Sequence, residues 1–368
     1  MSHGSQLAVI VLFAAAMWAP LVWMFLGFKD SHPNDERRIL AQMPRFVRGK
    51  TWSSYATGFT AYFHDHFGLR NFLIATHALL RVKGLGVTTS REVVLGKDGW
   101  LFYAGDKSME DYRGTLPFTD GELNAWVELF RRRQEWFTQR AIFMLVVITP
   151  DKQSIYPDLL PSSVKRVRDK VRLDQLMAAL PPSYKDQVLD LRGPLLAAKV
   201  TNRNLYYRTD SHWTSLGAYT AYLAIVEALS RKFPEIQPLP LQGGMDESKL
   251  SAGDLAAMLG LGALSPELPK SHLLPGSRKT GKRSAVIIGD SFMPALNASL
   301  AGSFERMVAI VGATLPGELI EREQPDIVIF EFVQRKLNGP VPIDIISPAR
   351  SFQTAPYSPA ADARHEFR

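Results

Sequence analysis

Two short stretches of this 368-residue chain carry residue types that could do chemistry together. VIIGDSF, residues 286–292, presents Asp290 and Ser291 behind a run of aliphatic residues. YYRTDSHWTSLGAY, residues 206–219, holds Asp210 two positions before His212. A serine hydroxyl is a poor nucleophile until a neighbouring base removes its proton, and that base needs a group to orient it. Ser291, His212 and Asp210 would supply nucleophile, base and orienting acid in the chain order Asp, His, Ser, which the geometry of such triads permits. Gly289 would allow a tight turn out of the strand, and the following helix would aim free N–H groups at Ser291, where a negative oxygen develops. Each box is weak alone. Gly-Asp-Ser is commonly a turn with a helix-capping serine, and an aspartate beside a histidine is common on surfaces. His64 and His66 around Asp65 form a rival cluster but lack a third metal ligand at useful spacing. No metal or organic cofactor is expected.

Such residues need a frame. The sequence REVVLGKDGWLFY reads as strand, Lys-Asp-Gly turn at 97–99, and aromatic strand. Thr119 and Glu122 form a capping box before a helix with an apolar stripe of Leu123, Trp126, Val127, Phe130 and Phe137. Residues 141–148, AIFMLVVI, read as a strand covered on both faces. A second helix is expected to carry Val164, Val167, Val171 and Leu176, followed by the strand QVLDL at 187–191 and a helix over 215–229. The strand AVIIG, a helix near 293–301, the strand MVAIV, a short helix near 317–323 and the strand DIVIFEFV complete the alternation. Strands alternating with helices predict an α/β fold, three-layer α/β/α, with a mostly parallel sheet. In such sheets sites form beyond the carboxyl ends of the strands, where Ser291 falls.

The formal charge is +7 and the sequence pI about 9.4, a balance that suits an acidic partner. The chain shows no zinc knuckle, helix-turn-helix signal or RNP run, so nucleic acid is not the expected partner. It has no Cys, which excludes disulfides, thiolate metal sites and Cys nucleophiles but leaves the compartment open. Residues 7–28 are an uncharged apolar run long enough to span a bilayer, with Trp18, Trp23 and Phe28 suited to its interfaces. The expected organisation is a membrane anchor or signal segment over 1–28, a linker and N-terminal helical arm over 29–95, a catalytic domain over 96–345, and a flexible tail over 346–368. From Phe59 to Val82 the apolar residues Phe63, Phe67, Phe72 and Leu79 fit helices interrupted by Gly68. Lys29, Arg37 and Arg38 behind the apolar run weakly favour a cytoplasmic body.

Taken in order, NDERRILAQMP, YFHDHFGLRNFLI, VVLGKDGWLFY, TPDKQSIYPDLLP, YYRTDSHWTSLGAY, GDLAAMLGL and VIIGDSF resemble the alginate O-acetyltransferase family. These are periplasmic SGNH-hydrolase-like enzymes that acetylate exopolysaccharides. The order of the two boxes is reversed relative to ordinary SGNH hydrolases and is similar to a circular permutation of the same site. The resemblance implies that Ser291 takes the acyl group, that His212 is its base and Asp210 the orienting acid, and that the Ser291 N–H is one oxyanion donor. The usual SGNH Gly-x-Asn-Asp block is absent, so the second donor has no match here. The resemblance further implies that Lys152 and Tyr156 line the site, and Arg335 is a candidate for binding a sugar carboxylate. It implies an exopolysaccharide acceptor, a membrane-bound O-acyltransferase as acetyl donor, and a body held in the periplasm at the inner membrane, against the weak charge bias. Five basic residues between Lys270 and Arg283 could attract an anionic polymer. A carbohydrate acetylesterase and a non-catalytic polysaccharide-binding subunit are the alternatives.

Overall fold

Five strands with alternating apolar side chains build the centre of the molecule. In the computed structural model the described residues are 3–26, 39–47, 49, 51–202, 204–242, 253–262, 274–275 and 281–345. The linker over 29–38, the tail over 346–368, and Lys270, Arg278 and Lys279 of the basic segment lie outside them. An antiparallel hairpin of β1 (Val93–Leu95) and β2 (Leu101–Tyr103) comes first. The sheet strands follow as β3 (Phe143–Thr149), β4 (Val188–Asp190), β5 (Ser284–Gly289), β6 (Arg306–Val311) and β7 (Ile327–Val333). Their spatial order is β4-β3-β7-β5-β6 and every pairing is parallel. The last strand is therefore inserted between the first and the third, which brings the carboxyl ends of β3, β5 and β7 side by side.

Parity along each strand divides the core. Leu145 and Val147 of β3, Ala285 and Ile287 of β5, and Ile327 and Ile329 of β7 face one side. Met144, Val146 and Ile148, Val286 and Ile288, and Val328 and Phe330 face the other. The first side is covered by residues of two later helices, Ser215–Ser230 and Met293–Leu300. The second is covered by the helix Asp120–Thr138, whose capping box of Thr119 and Glu122 is formed, and by Arg172–Ala179. A strand with two apolar faces requires cover on both, and the three-layer α/β/α order is the result.

Two expectations are corrected. Val164 and Val167 are not helical, and the helix starts only at Arg172. The N–H groups of Val167 and Arg168 donate instead to the Arg113 carbonyl, and the Arg172 N–H donates to Asp111. Tertiary hydrogen bonds have overridden an apolar periodicity. The domain boundary drawn at 95/96 divides the β1–β2 hairpin, whose register pairs Leu95 with Leu101.

N-terminal to the hairpin, α1 (His3–Phe25) is apolar and lies outside the core, with Leu7, Leu12 and Phe13 exposed. It is the one helix among the described residues long and apolar enough to cross a membrane. Two further helices follow, α2 (Trp52–His66) and α3 (Arg70–Leu79), broken at Phe67–Leu69 around Gly68 as the sequence predicts.

Candidate active site

The loop between Tyr206 and Trp213 is closed by an antiparallel bridge of these two residues, with the Tyr207 N–H on the His212 carbonyl at 3.1 Å. Thr214 caps the helix that follows, and its Oγ1 accepts the Gly217 N–H at 3.2 Å. Inside the loop, Asp210 Oδ1 accepts the His212 N–H at 2.9 Å and contacts His212 Nδ1 at 2.7 Å. The other ring nitrogen, Nε2, lies 2.8 Å from Ser291 Oγ. Two segments 79 residues apart thus form one chain of hydrogen bonds from carboxylate to imidazole to hydroxyl. Asp210 is buried, the His212 side chain is 27% exposed, and Ser291 is exposed. The hydroxyl end of the chain faces solvent and the carboxylate end does not.

Burial by itself would raise the Asp210 pKa. Its hydrogen bond to His212, the charge of that ring, and the N–H groups of His212 and Asp254 outweigh burial and hold the carboxyl well below the ordinary range. The acid is therefore ionised wherever the imidazole can act as base.

The aromatic residue after each box joins the two loops. Trp213 and Phe292 are buried and meet edge to face at 5.2 Å, and the His212 ring lies 4.8 Å from Phe292. At the other box, Asp290 fixes the turn: Oδ1 accepts the Phe292 N–H at 3.0 Å, Oδ2 accepts the Val333 N–H from β7 at 2.8 Å, and its carbonyl accepts the Met293 N–H. The N–H groups of Phe292 and Met293, at the start of the helix Met293–Leu300, are thus turned to Asp290 and not to Ser291, contrary to the sequence reading. The Ser291 N–H has no acceptor among the described residues and is left as a donor.

Gly289 serves a different purpose from the one expected. Its φ is not in the left-handed region. A Cβ there would lie 2.6 Å from Met293 Cβ and 2.9 Å from Glu331 Oε2, so close approach demands the glycine. Glu331 is buried in β7, accepts from Thr149 Oγ1 at 2.6 Å, and has its pKa pushed well up by burial and by the Asp290 charge.

One participant has no counterpart in the sequence reading. Asp254 opens a short helical turn, Asp254–Met258, and is buried. Its Oδ1 accepts the Ser211 N–H at 2.6 Å, its Oδ2 accepts Ser211 Oγ at 2.5 Å, and Oδ2 lies 3.6 Å from His212 Nδ1. Its own N–H donates to Asp210 Oδ2 at 3.2 Å. Gly253 precedes it because any Cβ would strike the Thr209 carbonyl. The GDLAAML string was legible, but nothing in its spacing ties it to a loop 44 residues earlier. Asp210, His212 and Asp254 offer ligand atoms within 4.8 Å of one another. Their oxygens and Nδ1 are already matched to hydrogen-bond partners, and Nε2 is turned to Ser291. In the rival cluster of His64, Asp65 and His66, Asp65 accepts the Ala41 N–H at 2.7 Å and His66 Nδ1 contacts the Tyr62 carbonyl at 3.0 Å.

Lys152 and Tyr156 stand behind the site and do not line it, which corrects their expected role. Lys152 is 2% exposed and its Nζ donates to the carbonyls of Tyr207, Arg208 and Asp210 at 3.0, 3.2 and 2.7 Å. The Tyr156 hydroxyl accepts the Leu205 N–H at 3.0 Å, and the residue is buried. Both fix the backbone that carries Asp210 and His212. The β1–β2 hairpin adds to this support through the Leu101 N–H, which donates to the Arg208 carbonyl at 2.9 Å. Arg335 is also largely buried. Its Nη1 donates to buried Asp151 at 2.5 Å, and its guanidinium lies over Tyr103 and Phe292. It borders a cavity of about 340 Å³ shared with Asp106, Lys107, Trp126 and Glu331. Of the basic residues in that segment Lys282 and Arg283 are described, and Arg283 pairs with Glu235 and Asp326.

The probable alginate O-acetylase AlgJ of Pseudomonas fluorescens is 29% identical over 184 residues, 49% of this chain and 45% of that protein. The probable alginate O-acetylase AlgJ of Pseudomonas aeruginosa is 29% identical over 222 residues, 55% of this chain and 53% of its own. The chain thus spans about half the length of these curated relatives. Among solved structures, the O-acetyltransferase domain of Pseudomonas putida AlgJ is 23% identical at a TM-score of 0.45, over 68% of this chain and 93% of its own. The family model described as the SGNH hydrolase-like domain of the acetyltransferase AlgX matches residues 93–303, from the first residue of β1 to beyond Ser291, and the chain belongs to that family.

Proposed function

We propose that this protein is an O-acetyltransferase that passes an acetyl group through Ser291 to hydroxyls of an exopolysaccharide. The observation that carries the reading is the unbroken Asp210–His212–Ser291 hydrogen-bond chain, at 2.7 and 2.8 Å. His212 Nε2 takes the Ser291 proton as Oγ attacks the acetyl carbonyl. The tetrahedral oxyanion accepts the Ser291 N–H, then collapses, and the leaving group departs with the proton from His212. A sugar hydroxyl next gives its proton to His212 and attacks the acyl-serine. The product is an acetylated sugar and free Ser291, with Asp210 ionised throughout.

The names of the relatives support a polysaccharide substrate and alginate as one candidate polymer. In this reading α1 anchors the body at the inner membrane, the body works in the periplasm, and a membrane-bound O-acyltransferase presents the acetyl donor. The exposure of Ser291 favours hydrolysis as the second reading, because water reaches the acyl-serine unless an acceptor excludes it.

A chromogenic acetyl ester, supplied with and without oligosaccharide, separates the two. Acetylated sugar is the product expected for transfer, and free acetate alone would assign the protein as an esterase. Ser291→Ala should abolish both reactions with the thermal melt unchanged. Normal turnover in that variant would overturn the acyl-serine route.

A further inference from the structure

The arm formed by α2 and α3 has two unequal sides. Helix α2 buries no residue and α3 buries only Ala75 and Ala78. The inner side of α3 and of the helical turn that continues it, Leu80–Gly84, joins the catalytic body, where Ala78, Leu79 and Val82 pack with Leu255, Ala256 and Leu259. The outer side leaves Phe72, Leu73 and Leu80 at 45%, 43% and 63% exposure. At the break between the two helices, Gly68 rests on the last turns of α1. A Cβ there would strike the Pro20 carbonyl and lie 2.8 Å from Trp23 Cβ and 2.9 Å from Met24 N.

We propose that the outer face of this arm lies in the headgroup layer of the membrane that α1 spans. The inference rests on the anchor reading of α1 given above. A 23-residue helix is about 35 Å long and a bilayer's hydrocarbon core about 30 Å thick. Pro20–Met24 must then sit at the boundary on the side of the body. Gly68 touches that turn, so the arm enters at the same depth. Headgroup layers accept aromatic and aliphatic side chains on one face of a helix lying in their plane. Phe72, Leu73 and Leu80 supply such a face, and Arg81 and Lys83 beside them are long enough to reach lipid phosphates. The inner face carries the turn that holds Asp254. The arm therefore fixes the height and tilt of the site above the membrane, where a donor delivered through the bilayer must arrive.

The absence of Cys allows a direct test, because each single-Cys variant takes one nitroxide label. The full chain is reconstituted in mixed phosphatidylcholine and phosphatidylglycerol vesicles with labels at Leu73→Cys or Leu80→Cys. Leu12→Cys in α1 and Ile343→Cys, 84% exposed on the catalytic body, are the references. Broadening by oxygen and by a water-soluble nickel chelate reports depth. The expected result is several-fold less nickel broadening at 73 and 80 than at 343, with oxygen access between those of 343 and 12. Nickel access at 73 and 80 equal to that at 343, with 12 still protected, overturns the inference and leaves the anchor standing. Nickel access at 12 as well overturns both. Protection at 73 and 80 with spin–spin broadening that vanishes on dilution with unlabelled chain assigns the face to a second copy, and also overturns it.

Discussion

Replacing Asp254 by Asn tests whether the second carboxylate acts on the chemistry or only on the loop. In the proposed proton transfer His212 becomes an imidazolium, with Asp210 Oδ1 at 2.7 Å and Asp254 Oδ2 at 3.6 Å from Nδ1. Two unit charges about 4 Å apart interact by about 4 kcal/mol at an effective dielectric of 20 and by about 1 kcal/mol in water. The His212 side chain is 27% exposed, between those limits, so neutralising Asp254 should cost about 1–3 kcal/mol of transition-state stabilisation. At about 1.4 kcal/mol per tenfold, kcat falls by about 5- to 150-fold. Asn keeps the shape and one oxygen for the Ser211 N–H, so folding stability should fall by only about 1–2 kcal/mol. The assay is kcat and KM on a chromogenic acetyl ester beside a thermal melt. The expected outcome is reduced kcat, KM near that of the parent, and a melt lowered by a few degrees. A kcat within about twofold of the parent would refute the electrostatic argument. A loss of activity that follows a collapsed melt would reduce Asp254 to a structural brace.

Lys152→Met removes a buried ammonium from three carbonyls and should destabilise the protein by about 3 kcal/mol, lowering Tm by about 6–12 °C. Because the same carbonyls belong to the loop of Asp210, the rate on the chromogenic ester should fall as well, and a parent-like rate would separate Lys152 from the site. Glu331→Gln should stabilise the fold. Burial and then the Asp290 charge raise the Glu331 pKa, so the parent loses stability as pH rises from the unfolded carboxyl's range toward the folded value. The gain in the Gln variant should appear in urea melts across that window and vanish below it. Asp210 has the opposite sign: its lowered pKa gives stability present above the ordinary carboxyl range and lost as pH falls through the folded value. Asp210→Asn should flatten that acid loss. Dialysis against EDTA should leave the rate unchanged, since Nε2 of His212 is committed to Ser291, and a loss restored by zinc would reverse this view.

Much of the fold was legible because its strands are doubly covered. Runs such as FMLVVIT and IVIFEFV are apolar on both faces apart from buried Thr149 and Glu331, as strands inside a parallel sheet are. The stretch around Val164 and Val167 misled because its apolar spacing is helical, while its N–H groups find acceptors on Arg113. Lys152 and Tyr156 lie near the site, but their role is to brace backbone. Burial and hydrogen-bond partners, not residue type, decide whether a lysine meets substrate or backbone.

The sequence by itself determined the α/β alternation, the apolar N-terminal helix, and the two boxes whose residue types could do chemistry together. An Asp two residues before a His is near enough to accept its N–H and meet its ring, and Lys152 and Asp254 hold the loop in that form. Only the tertiary structure decided what crosses the sheet. The insertion of β7 between β3 and β5 sets Asp290 against Val333, and the packing of Trp213 on Phe292 brings His212 to Ser291. Asp254 enters beneath them, and Gly68 takes its place on α1. Such contacts depend on distances between segments far apart in the chain. Sequence periodicity records only which face a residue takes on its own element, and so it cannot encode them.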